Sequence, residues 1–293
     1  MDNRNSIVFC FSEDNVFFKN ITKKLQYESG KCTVHRFPDS EILMRIETNV
    51  ANRDVLLICS TDHPNDKLAH LIFFAETARA LGATKVGLIS PYLAYMRQDK
   101  QFHPGEGVSS RYFGKLISAY FDWLLTIDPH LHRWHSLNDV FTIPCILLHA
   151  TKPIAQWIKQ HITNPVLIGP DKESTQWVSM IANDLAAPYS VVEKTRFSDI
   201  HVESTIPNIE QHQSNTLVLI DDIISTGRTM IETIHHVKSL GCKNIVCIGV
   251  HAIFAANAYQ ALLETNIKEI VTCNSVSHES NQIDLSDIII HAL

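Results

Sequence analysis

Leu217-Val218-Leu219-Ile220-Asp221-Asp222-Ile223-Ile224-Ser225-Thr226-Gly227-Arg228-Thr229 places four apolar residues ahead of two adjacent carboxylates and a small, hydroxyl-rich turn. The apolar run Leu217 to Ile220 has the continuous, β-prone character of a parallel strand covered on both faces. After the turn, Met230, Ile234, Val237 and Leu240 recur at helical spacing, and Gly241 is placed to end that helix in a left-handed conformation. A second apolar run, Ile245 to Val250, completes a β-loop-α-β unit of about thirty residues. In such a unit the loop lies at the carboxyl edge of the sheet, where open α/β sheets bind ligands.

The chemistry of the turn narrows the ligand. Ser225, Thr226, Gly227, Arg228 and Thr229 supply backbone N–H groups at a helix N-terminus, hydroxyls and one guanidinium, which are phosphate-binding parts. Asp221 and Asp222 would repel a phosphate, so they suit a different partner: sugar hydroxyls or a divalent cation. Together these groups fit a phosphorylated sugar. The alternative is that Asp222 and Ser225 merely cap and start the helix.

Outward from this segment the chain alternates strand and helix. In the first half, Ile7 to Phe11, Val55 to Cys59, Val86 to Ile89 and Leu124 to Ile127 read as strands, with a helix near Lys67 to Leu81 ended by Gly82. In the second, Val166 to Ile168, Tyr189 to Val192, Leu217 to Ile220, Ile245 to Val250 and Ile270 to Thr272 do the same, with helices near Glu173 to Leu185 and Thr229 to Leu240. The expected fold is α/β, as two similar doubly wound domains, each with a mainly parallel central sheet. The expected domains are residues 1–145 and 146–293, with the boundary falling between Phe141 and Thr151.

Composition fits a soluble enzyme: 293 residues, 45% hydrophobic and 19% charged, are enough for one large or two medium domains. A net charge of -6 argues against a general nucleic-acid or membrane surface. Met1-Asp2-Asn3-Arg4-Asn5 precedes only a short apolar run, and no stretch approaches the roughly 20 apolar residues of a membrane span, so a cytoplasmic location is the default expectation. The seven cysteines are scattered without a CxxC pair, which indicates buried free thiols rather than a zinc site or a disulfide framework. Neither G-x-x-x-x-G-K-[ST] nor G-x-G-x-x-G occurs, so a P-loop or Rossmann mode of nucleotide binding is not supported.

Asp221 to Thr229 resembles the phosphoribosyl-diphosphate loop shared by phosphoribosyltransferases and ribose-phosphate diphosphokinases. Other segments distinguish the two. Pro91-Tyr92-Leu93-Ala94-Tyr95-Met96-Arg97-Gln98-Asp99-Lys100 resembles the diphosphokinase signature around Arg-Gln-Asp, and Phe37-Pro38-Asp39-Ser40-Glu41 resembles its adenine-contacting loop. Thr126-Ile127-Asp128-Pro129-His130 is similar to the segment bearing a metal-binding histidine, Gly169-Pro170-Asp171 to one bearing a metal and substrate aspartate, and Glu193-Lys194-Thr195-Arg196 to the flexible catalytic loop. The segments occur in the family's order from about Phe9 to Asn274, and a phosphoribosyltransferase would account for only one of them, Asp221 to Thr229.

The resemblance implies two phosphoribosyltransferase-like domains with the active site between them, and Mg²⁺-dependent transfer of the diphosphoryl group of ATP to ribose 5-phosphate in a homo-oligomer, dimer-based and up to a hexamer. It implies catalytic roles for Lys194 and Arg196, ATP contacts from Phe37, Asp39, Glu41, Arg97, Gln98 and Asp99, and metal ligation by His130 and Asp171. Ribose 5-phosphate falls to Asp221, Asp222, Ser225, Thr226, Gly227, Arg228 and Thr229. His132 and His135, which lack a counterpart, read as an exposed loop, and His235-His236 as partly solvated surface. Departures point to a divergent branch. Many bacterial members have aspartate at the position of Ser225 and glycine at that of Arg228, Ser40 stands where glycine is usual, and Arg133-Trp134-His135 replaces a Gln-rich connection. Phosphoribosyl transfer to a nucleobase, or a non-catalytic regulatory subunit, remain as alternatives, the last opposed by retention of Lys194, Arg196, Asp221 and Asp222.

Overall fold

The computed structural model describes residues 5–11, 16–196, 202–207 and 209–293, and within them the backbone alone of 194–196 and 202–204. It divides into two compact units: one runs through Leu148 and takes in Ser286–Leu293, the other is His149–Leu285. The division falls after Leu148 rather than after Cys145.

The first unit is built from strands β1 (Ser6–Cys10), β2 (Glu28–Ser29), β3 (Cys32–Arg36), β4 (Ile42–Ile46), β5 (Asp54–Ile58), β6 (Lys85–Ser90), β7 (Trp123–Ile127) and β8 (Cys145–Leu148), and helices α1 (Val16–Leu25), α2 (Pro64–Ala80) and α3 (Ser109–Tyr120). Its main sheet runs β2-β1-β5-β6-β7-β8. Every pairing in it is parallel. Parallel strands need crossovers and are covered on both faces, and β6 after Lys85 and all of β7 are accordingly buried and mostly apolar. β3 and β4 stand apart as an antiparallel hairpin.

The second unit begins with α4 (Thr151–His161) and continues through β9 (Pro165–Gly169), α5 (Thr175–Leu185), β10 (Tyr189–Val191), β11 (Glu193–Arg196), β12 (Val202–Thr205), β13 (Thr216–Ile224), α6 (Arg228–Ser239), β14 (Asn244–Ala252), α7 (Ala258–Glu264), β15 (Glu269–Cys273) and β16 (Asn281–Ile283). Its sheet, β10-β9-β13-β14-β15-β16, is again parallel throughout and repeats the strand order of the first. An antiparallel hairpin, here β11 with β12, again falls between the second and third strands of the sheet in chain order. Two halves of one topology are what the alternating sequence pattern predicts. The sequence reading lacks both hairpins, whose strands lie outside the main sheets.

The chain ends in α8 (Ser286–Ile290), which packs on α1. The Lys24 ammonium donates to the Asp287 carboxylate at 2.6 Å and to the Ser286 hydroxyl at 3.1 Å, which ties the last segment to the first unit.

Burial follows the two sheets. Phe9, Phe74, Leu88 and Leu124 anchor the first core, and Ile168, Leu219, Ile234 and Ile245 the second. All seven cysteines are free, and burial pushes the Cys59 thiol up to about 12, which makes it a packing group rather than a nucleophile. α3 packs so closely that a Cβ on Gly114 would lie inside contact distance of the Val140 carbonyl oxygen, a backbone atom. Gly114→Ala would gain about 1 kcal/mol of helix propensity. Overpacking costs about 1–3 kcal/mol, and since backbone cannot rotate away, overpacking wins. The expected result is a net loss of up to about 2 kcal/mol, read as a lower urea midpoint with unchanged m.

Candidate functional site

In each sheet the strand order reverses beside the first strand, between β1 and β5 and between β9 and β13. Such switch points open a crevice at the carboxyl ends of the strands. In the second unit both strands carry acids into that crevice. β9 ends at Gly169 and is followed by Asp171, and β13 carries Asp221 and Asp222 near its end.

β13 is longer than its apolar run suggests. Pairing with β14 continues past the acids, through Ile223 with His251 and Ile224 with Ala252, so Asp221 and Asp222 lie on the strand rather than in the loop after it. Adjacent strand residues point to opposite faces, so the pair presents one carboxylate on each side of the sheet edge. Asp222 N–H donates to Asp221 Oδ1 at 3.0 Å, and Ile223 N–H to Asp222 Oδ1 at 2.8 Å.

The Asp221 carboxyl is held well above the usual carboxylate range. Burial is the first cause, followed by the charges of Asp222 and Asp171. Asp171 therefore stands within electrostatic reach of Asp221. Its own side chain caps the short turn Lys172–Ser174, accepting from Ser174 N–H at 3.1 Å.

The turn Ser225–Gly227 leads into α6. Gly227 is the N-cap, with φ of +68°, and no side chain caps the helix. The alternative in which Asp222 and Ser225 serve as caps is thus not what the structure shows. A helix leaves its first N–H groups without intrahelical partners and carries partial positive charge there, so the N–H groups of Arg228 and Thr229 suit an anion. Left-handed backbone, rather than lack of space, favours glycine at 227. A second loop braces the turn: Phe254 N–H donates to Ile224 O at 2.8 Å and Ala255 N–H to Ser225 O at 3.0 Å. Phe254 accepts a left-handed φ of 39° in doing so. Its ring packs on Tyr259 and His278 at centroid distances of 5.0 and 4.5 Å. Sequence reading misses this brace, since nothing local distinguishes Phe254 from a core aromatic.

The topologically matching turn of the first unit, Ser60 to Asn65 after β5, is closed on itself. The Lys67 ammonium donates to Ser60 O at 2.8 Å and to Asp62 at 2.7 Å, and the buried Thr61 hydroxyl bonds Tyr92 O at 3.0 Å. One turn of the pair is open to an anion and the other is filled.

The first unit places its expected site residues at two strand ends and one hairpin tip. Phe37, Asp39 and Glu41 form the tip between β3 and β4, where Phe37 N–H bonds Glu41 O at 2.8 Å and Asp39 accepts from Glu41 N–H at 3.1 Å. Ser40 adopts φ of 75° there, the conformation that glycine takes without cost. The whole tip is exposed. Arg97, Gln98 and Asp99 follow β6; Arg97 is exposed, and Gln98 O accepts from Ser110 N–H at 3.2 Å, which fastens the triplet to the start of α3. Asp99 is paired, but not with Arg97: its fully buried carboxylate faces Arg133. His130 lies three residues beyond the end of β7, partly buried, with its Nδ1 2.9 Å from Nε2 of His132. His132 and His235 are exposed and His236 half-buried. Lys194 and Arg196 have their backbones in β11, opposite Ser204 and Val202 of β12, and their side chains lie outside the described residues.

No described helix is long and apolar enough to cross a membrane. A family model for the N-terminal domain of ribose phosphate pyrophosphokinase matches residues 6–120, and one for the phosphoribosyl transferase domain matches 136–287. The ribose-phosphate pyrophosphokinase of Saccharolobus solfataricus is 32% identical over 96% of this chain and 97% of its own length. That of Sulfolobus acidocaldarius is 33% identical over 86% and 87%. The crystal structure of phosphoribosylpyrophosphate synthetase from Mycobacterium smegmatis shares the fold, with a TM-score of 0.86 over 98% of this chain and 97% of that one at 21% identity. With the open turn on β13, the acid pair before it and matched models along nearly the whole chain, this protein belongs to the ribose-phosphate pyrophosphokinase family.

Proposed function

We propose that the protein transfers the diphosphoryl group of ATP to ribose 5-phosphate, yielding 5-phosphoribosyl 1-diphosphate and AMP for nucleotide synthesis. The observation that carries this reading is the second unit's switch point, where Asp171, Asp221 and Asp222 stand beside an uncapped helix N-terminus. Acids at the strand end suit ribose hydroxyls, and the turn Ser225 to Thr229 suits the 5-phosphate. Arg228 adds a cation able to grip phosphate in two places.

In the reaction the C1 hydroxyl loses its proton, its oxygen bonds to the β-phosphorus, and the bond from that phosphorus to the α,β-bridging oxygen breaks. Negative charge grows on the β-phosphoryl oxygens and on departing AMP, so the work of the residues is alignment and cationic stabilisation. Lys194 and Arg196 are assigned that stabilisation. Arg97 and Gln98 are assigned to the nucleotide and its phosphates, and Phe37, Asp39 and Glu41 to the adenine of a neighbouring copy in a homo-oligomer.

The residues fit Mg²⁺. Asp171 offers a hard oxygen donor in a neighbourhood acidic enough to raise Asp221, and such clustering favours a cation. His130 offers nitrogen, a poorer donor to Mg²⁺, so its assigned part is through water or toward phosphate. When bound, the metal would neutralise phosphate charge and orient the diphosphate.

Phosphorus NMR of the purified protein with ATP, Mg²⁺ and ribose 5-phosphate tests the reading. AMP and a new diphosphate ester should grow together and only with both substrates present. Turnover without AMP, or consumption of phosphoribosyl diphosphate with a nucleobase and no need of ATP, would replace it with the phosphoribosyltransferase reading.

A further inference from the structure

The Asp99 carboxylate is fully buried, while the Arg133 side chain that meets it keeps 43% of its surface exposed. Nη1 of Arg133 lies 2.8 Å from Oδ1 and 3.0 Å from Oδ2 of Asp99. A desolvated carboxylate is costly unless paired, so this contact offsets the cost of burying Asp99.

Aromatic contacts extend the pairing. The Arg133 guanidinium lies 5.7 Å from the centroid of Phe102, and Lys100 lies 5.0 Å from the same ring. One residue beyond Arg133, Trp134 lies under the Arg111 guanidinium at 5.1 Å. Arg133 thus fastens the segment His130–Trp134 after β7 to the segment Arg97–Phe102 after β6 through both Asp99 and Phe102, and Trp134 fastens it to α3.

We propose that Arg133 is a positioning residue for the nucleotide: by holding Asp99 it sets where Arg97 and Gln98 stand, and it keeps that triplet in register with His130. The inference rests on the assignment of Arg97 and Gln98 to ATP. Asp99 then acts through its neighbours rather than on the nucleotide. A bound phosphate would in any case be repelled by its carboxylate.

The test compares Arg133→Met, Arg133→Lys, Asp99→Asn and the Asp99→Asn/Arg133→Met pair, reading KM for ATP, KM for ribose 5-phosphate, kcat and direct titration with ATP. A misplacement of about an ångström can cost on the order of 100-fold, so Arg133→Met and Asp99→Asn should each raise KM for ATP by about tenfold or more. KM for ribose 5-phosphate should stay within about twofold of wild type. Lysine keeps the charge without the guanidinium fork, so Arg133→Lys should recover part of the loss. The double variant should bind ATP no worse than the weaker single, because both remove one interaction.

Equal weakening of both substrates with a lower Tm would reduce the pair to a structural one and overturn the proposal. So would a defect in Arg133→Met with wild-type behaviour in Asp99→Asn, which would put Arg133 on the nucleotide itself. If Arg133→Met does not fold, Arg133→Lys and Asp99→Asn still decide the matter. Should wild type form no AMP, the functional reading fails, and ATP titration still tells whether Arg133 governs nucleotide affinity.

Discussion

Asp221→Asn is expected to raise the stability of the metal-free protein at neutral pH and, in the same molecule, to lower catalytic efficiency. The folded-state carboxyl is held above its unfolded value by burial, then by Asp222 and Asp171. Between the unfolded value of 3.8 and the raised one, the native state binds more protons than the unfolded state. Stability therefore falls as pH rises through that window. The favourable contribution of the proton is fully present below 3.8 and lost above the folded pKa. At neutral pH the folded wild type must either hold a buried charge beside like charges or keep a proton that the unfolded chain has lost, and asparagine removes both costs with little change of shape. Each kcal/mol recovered should raise Tm by roughly 2–4 °C. The catalytic prediction has the opposite sign. A hydrogen bond from a sugar hydroxyl to an ionised carboxylate is worth about 1.5–3 kcal/mol, so kcat/KM for ribose 5-phosphate should fall by about 10- to 100-fold. Wild-type activity should decline as pH drops through the raised value, since the ionised carboxylate is the competent acceptor. Thermal scans in chelator from pH 4 to 8 check the first part, and a lower Tm for the variant at pH 7 would overturn it.

The opposition between stability and function at Asp221 also shows which parts of this molecule can be read from its sequence. β13 and α6 were legible because an unbroken apolar run and a clean helical period adjoin, and Gly241 does end the helix with φ of +88°. The strand runs on to Ile224, past the end of its apolar run at Ile220. Strand pairing with β14 draws both acids onto β13, although carboxylates are poor strand formers, because Ile223 and Ile224 beyond them are held by His251 and Ala252. The hairpin of β3 and β4 left no strong signal, since Thr33, His35 and Arg36 are exposed and the pair belongs to neither main sheet. β8, only four residues, vanished into the region read as a boundary. The partner of Asp99 was beyond reach for a different reason. Arg133 lies 34 residues away, and no periodicity connects an ion pair across a crossover. Local pattern shows the elements, whereas long-range pairing decides what a buried charge does.

Lys194→Ala is expected to lower kcat by about 100- to 1,000-fold, the cost of removing one preorganised donor from a centre where charge develops. Ribose 5-phosphate should bind nearly as before, because its assigned residues are on β13 and α6 while Lys194 has its backbone in β11. The distinction follows from where charge changes. The phosphate of the sugar carries the same charge before and during reaction, so groups that hold it bind ground and transition states alike and set KM. Oxygens on the β-phosphorus and the departing AMP gain charge only as the bond breaks, so a cation aimed at them sets kcat. Lysine is a compact point charge, and Lys194→Arg preserves that charge while moving it outward on a planar fork; it should recover less than the full rate. Pairing of β11 with β12 bears on the same point. Strand pairing from Glu193 with Thr205 to Arg196 with Val202 fixes the backbone of Lys194 and Arg196 without substrate, so the proposed role would require fewer backbone torsions to be ordered on binding. Single-turnover measurements with saturating ATP and sugar phosphate separate chemistry from release. A wild-type chemical step in Lys194→Ala would remove this lysine from the mechanism and leave Arg196 and the metal as the only cations assigned to the breaking bond.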